Sequence, residues 1–481
     1  MTAAARRPFR PLPLRSARLR EALRLLRGAG LALLLGAAVA TTAREAAAQP
    51  DPAEGPQEIV TPKGLSVWLK YEPSLPAVAL NAQFGGGGLS ADAPDRRGAS
   101  FLIGGLLEEG AGDLDARSFQ NARDELGARI VYMTASEDLS ITVWSPSEHL
   151  GEVMDLVRLS LASPRFDPEA VALVKAQSTA LMRHQGADAQ NLAEMAFLKR
   201  LFPDDPYSSD YRGGEADYAK LTREDLLEAM PRLTDRDRLI VSAVGDVTPE
   251  RLAELVDAAF GDLAAGGARS LPPARTAQAP GILREIVDRE QSMIVFGHGG
   301  IENDDPDYEA ARVMTHVLGG YGANSRLNAA LRDKRGMTYA VSAGLRSYDR
   351  AGVVMGMVAV ANERVDEAIG VLREEWTRMA EEGPTEAELE RSKRYLIGSF
   401  GLGISSNMGL SEFLVRSRSQ GLGIDYIRTR NEAIAAVTLE DAKRVAARLL
   451  KPEELVFSVV GGEPLPAGTE PRPPGEAAPP P

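Results

Sequence analysis

Leu239-Ile-Val-Ser-Ala-Val-Gly245 returns 216 positions later as Leu455-Val-Phe-Ser-Val-Val-Gly461. Both runs are short, apolar and rich in β-branched residues, the pattern of a strand buried on both faces. At the same offset of 216, Thr222-Arg-Glu-Asp225 returns as Thr438-Leu-Glu-Asp441, each shaped as a helix N-terminal capping box. Ser147-Glu148 and Asn362-Glu363 open amphipathic helices at an offset of 215. A chain that repeats strands and caps at one spacing is built from two copies of one domain.

Within the first copy, Ser66–Tyr71 and Val78–Phe84 read as strands, Arg97–Leu107 and Ala116–Leu126 as helices, and Ile130–Ala135 with Leu139–Trp144 as a strand pair. Strands early and helices late in each copy predict an α+β fold, two homologous lobes each with helices packed on a mainly antiparallel sheet. Ala264–Gly281 and the end of the chain are Pro/Gly/Ala-rich without apolar periodicity. The expected layout is therefore a lobe at 55–263, a linker at 264–281, a lobe at 282–463 and a disordered Pro-rich tail at 464–481.

The first thirty residues carry eight arginines, followed by the short apolar run Gly30–Ala40 and by Ala46-Ala47-Ala48. This order is that of an export signal over 1–48, cleaved near Ala48, and it predicts a periplasmic protein with no membrane span in the mature chain. An uncleaved membrane anchor is the alternative. Without that segment the formal charge falls to about −20, which repels phosphate backbones and argues against nucleic acid. There is no cysteine, hence no disulfide, thiolate ligand or thiol nucleophile.

Leu318-Gly319-Gly320-Tyr-Gly322-Ala-Asn-Ser325-Arg326-Leu327, followed by Arg332 and, seven positions on, Tyr339, resembles the C-terminal half of the pitrilysin/insulinase peptidases. Asp205-Pro206-Tyr207 and the duplicated layout extend the likeness over about residues 55 to 463. Active members carry His-x-x-Glu-His on a helix of the first lobe, two imidazoles binding zinc and the carboxylate activating water. In the register of this chain those places fall on Phe101, Gly104 and Gly105, and the distal Glu falls on Ala180 or Leu181. The four histidines, His149, His184, His298 and His316, form no short metal motif. Two mid-helix glycines cost roughly 1 kcal/mol each relative to Ala, which calls for a close-packing reason.

The resemblance implies that Arg332 and Tyr339 bind a peptide carbonyl and stabilise the oxyanion formed when water attacks it. With the metal residues replaced, it implies a non-metal-binding subunit. Such a chain holds no cofactor of its own and is inactive alone. It lends Arg332 and Tyr339 in trans to a zinc-bearing sister subunit, in a heterodimer that cleaves peptides. A catalytically inert structural or peptide-holding protein is the competing reading, and a self-sufficient zinc peptidase a third. The helix carrying Arg332 should end near Gly336, with Tyr339 opening the next strand and facing back toward Arg332.

Overall fold

The computed structural model describes residues 54–203, 205–208, 212–266, 272–320 and 324–462. The segments read as an export signal (1–48) and as a Pro-rich tail (464–481), the centre of the expected linker and part of the glycine turn at Gly319–Gly322 lie outside the described residues.

The first half contributes strands β1 (Gln57–Val60), β2 (Ser66–Tyr71) and β3 (Ala77–Gly85), a short ribbon of β4 (Gly110–Ala111) and β5 (Leu114–Asp115), then β6 (Arg129–Thr134), β7 (Asp138–Pro146) and β8 (Leu239–Gly245). The second half contributes β9 (Gly281–Ile286), β10 (Gln291–Gly299), β11 (Val341–Tyr348), β12 (Ala351–Ala361) and β13 (Val456–Gly461). One sheet has the order β1-β2-β8-β3-β7-β6, the other β9-β13-β10-β12-β11. Every pairing is antiparallel except β2 with β8 and β9 with β13, which occupy equivalent places. The sheets thus share one topology, and the first has an additional edge strand, β1.

The strand pair expected at Ile130–Ala135 and Leu139–Trp144 is β6–β7, and the two repeated apolar runs are β8 and β13. Both capping boxes form: the Thr222 backbone N–H donates to Asp225 at 2.8 Å and the Asp225 N–H to the Thr222 hydroxyl at 3.2 Å, with Thr438 and Asp441 paired likewise. The fold class is α+β, with helices on antiparallel-rich sheets.

Each sheet has its main core on the face packed by its own helices, around Leu80, Ile103, Val157 and Val256 in the first half and around Phe296, Val317, Leu372 and Trp376 in the second. The opposite faces are covered by an exchange. Helix Asn407–Ser419 from the second half lies on β3 and β8, where Asn81 donates to the Ser411 hydroxyl at 2.9 Å and Ser242 donates to the Ser411 carbonyl at 2.8 Å. Helix Ala189–Leu201 from the first half lies on β10 and β13, burying Phe197 against Val295, Val456 and Val460. This exchange is why β8 and β13 are apolar without alternation: both faces are buried.

A polar latch joins the hairpin turns of the two halves. Arg350, between β11 and β12, makes a bidentate pair with Asp205 at 2.8 and 2.9 Å, reaches Glu137 beside β7 at 3.3 Å, and lies 4.5 Å over the Tyr207 ring. The Tyr207 hydroxyl and the Asp349 backbone N–H both donate to Glu137. Glu137 is buried, and that burial, with Asp349 nearby, pushes its carboxyl up to about 7. Among the described residues, no helix is long and apolar enough to cross a membrane.

Candidate functional site

The helix expected to carry metal ligands is Ala99–Leu106, and it is built to pack. Gly104 is buried where a β-carbon would stand 2.6 Å from the Thr134 hydroxyl at the end of β6, and that hydroxyl already donates to the Ser100 carbonyl at 3.0 Å. A β-carbon at Gly105 would meet the Val174 methyl at 3.1 Å. Phe101 packs its ring onto the first core. None of the three positions offers a ligand atom, and a Glu at 104 has no room, so these residues do not fit a zinc ion. Helix Pro168–Gly186 presents Val174 to Gly105. Ala180 and Leu181, where the family spacing put the distal Glu, are exposed.

The Gly-rich approach to this helix is also a matter of close contact. β-Carbons at Gly87 and Gly88 would fall 2.5 Å from the Arg232 carbonyl and 2.4 Å from the Asp138 backbone nitrogen. Arg232 donates to the Gly87 carbonyl at 2.7 Å, to Asp92 at 2.7 Å and to the Ser100 hydroxyl at 2.8 Å, so a buried ion pair braces the helix start. Burial pushes the Asp92 carboxyl up, and Arg232 opposes that shift.

The equivalent helix of the second half is Tyr308–Gly319. A β-carbon at Gly319 would meet that of Ala343 on β11 at 2.6 Å, as one at Gly104 meets Thr134 on β6. His316 Nδ1 and the Ser392 hydroxyl share a hydrogen bond at 2.8 Å, the imidazole stacks on Tyr395 at 4.9 Å, and burial lowers its basicity. His298 is a core residue whose Nε2 accepts from the Trp376 indole and the Lys451 N–H, each at 3.1 Å. Among the described residues, no group of three or more His, Asp or Glu is placed to hold a metal ion.

Arg332 and Tyr339 share one bracketed loop. Arg332 lies on a π-helical turn, Asn328–Asp333, and its Nε donates to Asp333 at 2.8 Å. Gly336 follows at φ +58°, the left-handed conformation that turns the chain back, and its N–H donates to the Arg332 carbonyl at 2.9 Å. Buried Met337 plugs the loop into the core, and its N–H donates to the Leu331 carbonyl at 2.9 Å. Asn328 donates to the Val341 carbonyl at 2.8 Å, fixing where β11 begins. The turn thus ends at Asp333 rather than near Gly336, and β11 starts two residues after Tyr339 rather than at it.

Tyr339 is 94% exposed, so no packing holds its phenol against Arg332 within this chain. The preceding Arg326 has a different task. It is buried, bidentate to Glu388 at 2.7 and 2.8 Å, and donates to the Gly383 carbonyl at 2.9 Å. Glu388 also accepts from the Thr385 N–H at 2.8 Å, and despite its burial these donors hold its carboxyl at about 2. Arg326 and Glu388 thus clamp the segment that leads into the Arg332 turn.

An open cleft of about 640 Å³ separates the turn regions of the two halves, lined by Asn81, Asp138, Asn303, Tyr348, Glu412 and Arg416 among others. Sequence reasoning missed these residues and the latch beside them, apart from Asp205 and Tyr207.

Residues 220–396 match the family model described as Peptidase M16 inactive domain. The chain is 24% identical over 393 residues to the "non-peptidase homolog YmxG" of Helicobacter pylori, covering 81% of this chain and 90% of that one. It is 27% identical over 422 residues to an "uncharacterized zinc protease" of Mycobacterium tuberculosis, covering 85% and 93% respectively. The crystal structure of a peptidase M16 inactive domain from Pseudomonas fluorescens superposes with a TM-score of 0.79 at 23% identity, covering 85% of this chain and all, 100%, of that one.

Proposed function

We propose that this chain, which belongs to the M16 (pitrilysin/insulinase) peptidase family as a member without the zinc site, works as the non-metal-binding subunit of a peptidase complex. One contrast carries the reading. The metal-site positions hold Phe101, Gly104 and Gly105, packed against Thr134 and Val174, while the loop bearing Arg332 and Tyr339 is clamped and points its phenol outward.

A zinc-bearing sister subunit supplies the metal and the activated water. Arg332, permanently charged and planar, and Tyr339, through its O–H, hold the scissile carbonyl and stabilise the oxyanion as it forms. The 94% exposure of Tyr339 suits a donor whose acceptor arrives on another molecule. The substrate is an extended peptide that adds to a sheet edge, and β6, beside the packed helix, is such an edge. The export signal read in residues 1–48 puts the complex in the periplasm.

The test is reconstitution. The purified chain alone should contain no stoichiometric zinc by elemental analysis and cleave none of a peptide mixture. Mixed with a sister subunit of intact His-x-x-Glu-His, it should raise that subunit's cleavage rate. A mixture no faster than the sister subunit alone would make this chain an inert structural or peptide-holding protein.

A further inference from the structure

The two sheets match strand for strand until their ends. In the first, β2 is covered by β1; in the second, the equivalent strand β9 is the edge. The register makes the equivalence exact to the residue: Trp68 of β2 lies beside Ser242, as Leu283 of β9 lies beside Ser458. The exchanged helices correspond too, each with an arginine next to its last residue, Arg418 in one and Arg200 in the other.

In the first half the covering strand brings a charge. Glu58 of β1 sits opposite Trp68, and Arg418 lies 5.4 Å over the Trp68 ring while donating to the Ser66 carbonyl at 2.9 Å. Burial lowers the basicity of Arg418, and the nearby Glu58 charge opposes that shift. In the second half Arg200 donates to the Ala279 carbonyl at 2.9 Å, just ahead of β9. Beyond it is a cavity of about 440 Å³ lined by Lys199, Arg200, Leu283, Arg284, Glu285 and Ser458. The Ser458 hydroxyl is buried without a hydrogen-bond partner among the described residues. On the other face of β9, Ile282 and Ile286 are 43% and 60% exposed.

We propose that β9 is a docking edge which takes an extended acidic segment of another polypeptide as a sixth strand, its carboxylate directed at Lys199 and Arg200 at the end of the exchanged helix, as Glu58 and Arg418 flank Trp68 in the first half. The backbone of β9 supplies the ladder. Alternation then specifies the segment: an acidic side chain into the cavity, and apolar neighbours beside Ile282 and Ile286. Glu285 repels a second carboxylate at the cavity's far end, so one acidic residue is the right number. The strand β1 supplies one such acidic residue, Glu58, with apolar Ile59 beside it on the opposite face. The site is independent of Arg332 and Tyr339 and of any catalytic role.

The probe is a fluorescent peptide copying residues 55–62, Gly-Pro-Gln-Glu-Ile-Val-Thr-Pro, added to the full chain at low salt. Hydrogen exchange should show the amides of Gly281–Ile286 gaining protection. Fluorescence anisotropy should show affinity falling at least tenfold for Lys199→Glu, an exposed position that leaves the fold alone, and for a peptide with Glu replaced by Lys. The proposal is overturned by an absence of protection on β9, by protection on Ser66–Tyr71 instead, or by equal binding to Lys199→Glu. It is equally overturned if the free protein is a dimer that Ile286→Arg dissociates, since a second copy would then already cover the edge.

Discussion

Gly104 and Gly105 are adjacent, and both gain in helix propensity on substitution by Ala, yet the two changes should move stability in opposite directions. For Gly104→Ala, the propensity gain is about 1 kcal/mol. Against it, the new methyl stands 2.6 Å from the Thr134 hydroxyl, which is tethered to the Ser100 carbonyl. Overpacking costs about 1–3 kcal/mol and displacing the tethered hydroxyl about 1 kcal/mol more, so the net loss is about 1–3 kcal/mol. For Gly105→Ala the nearest atom is a single Val174 methyl at 3.1 Å beside an exposed backbone, and a small movement of that side chain keeps most of the gain. Urea unfolding followed by circular dichroism should therefore order the proteins Gly105→Ala, wild type, Gly104→Ala from most to least stable. Gly104→Glu, which restores the carboxylate of the family motif, should be worse still. If Gly104→Ala unfolds at the same or higher urea concentration than Gly105→Ala, the claim that this helix has closed onto β6 is wrong.

The remaining expectations concern the latch and the clamp. Arg350→Ala leaves buried Glu137 and half-buried Asp205 without their cation and should cost about 3–5 kcal/mol in urea unfolding, whereas an exposed pair such as Arg416–Glu412 should cost under about 1 kcal/mol when broken. Glu137 binds its proton more tightly in the folded than in the unfolded chain, so its contribution is full below about 4.5 and is lost as pH rises through about 7. Glu137→Gln should flatten the stability–pH curve across that window, and an unchanged slope would remove Glu137 from the account. Arg326→Lys keeps the charge but loses the bidentate geometry on Glu388; hydrogen exchange should quicken in the 324–341 segment if the clamp positions the loop.

The strands and caps were legible because they depend on local chemistry that occurs twice. β-Branched runs at 239–245 and 455–461, and Thr/Asp boxes at 222 and 438, need only near neighbours to take their form. What could not be read was decided by contacts far apart in sequence. Nothing local in Ala189–Leu201 or Asn407–Ser419 says that each covers the sheet of the other half, and Arg350 meets Glu137 across 213 positions. Family spacing gives a position along a helix but not its rotation, so the packing of Val174 onto Gly105 could not be read. Tyr339 was expected to open a strand. Asn328 delays that strand to Val341, and the Thr338 hydroxyl, donating to the Ala340 carbonyl at 2.9 Å, keeps the intervening residues in a turn.

The most direct measurement is steady-state cleavage by a complex of the zinc-bearing sister subunit with Tyr339→Phe or Arg332→Ala, with subunit association checked by sedimentation. An oxyanion donor contributes on the order of 3 kcal/mol to transition-state stabilisation, so either change should slow cleavage by about a hundredfold. Tyr339 is 94% exposed, so its loss should leave folding and association intact. Assembled complexes that cleave at the wild-type rate would contradict the account, leaving a chain whose oxyanion loop is a relic.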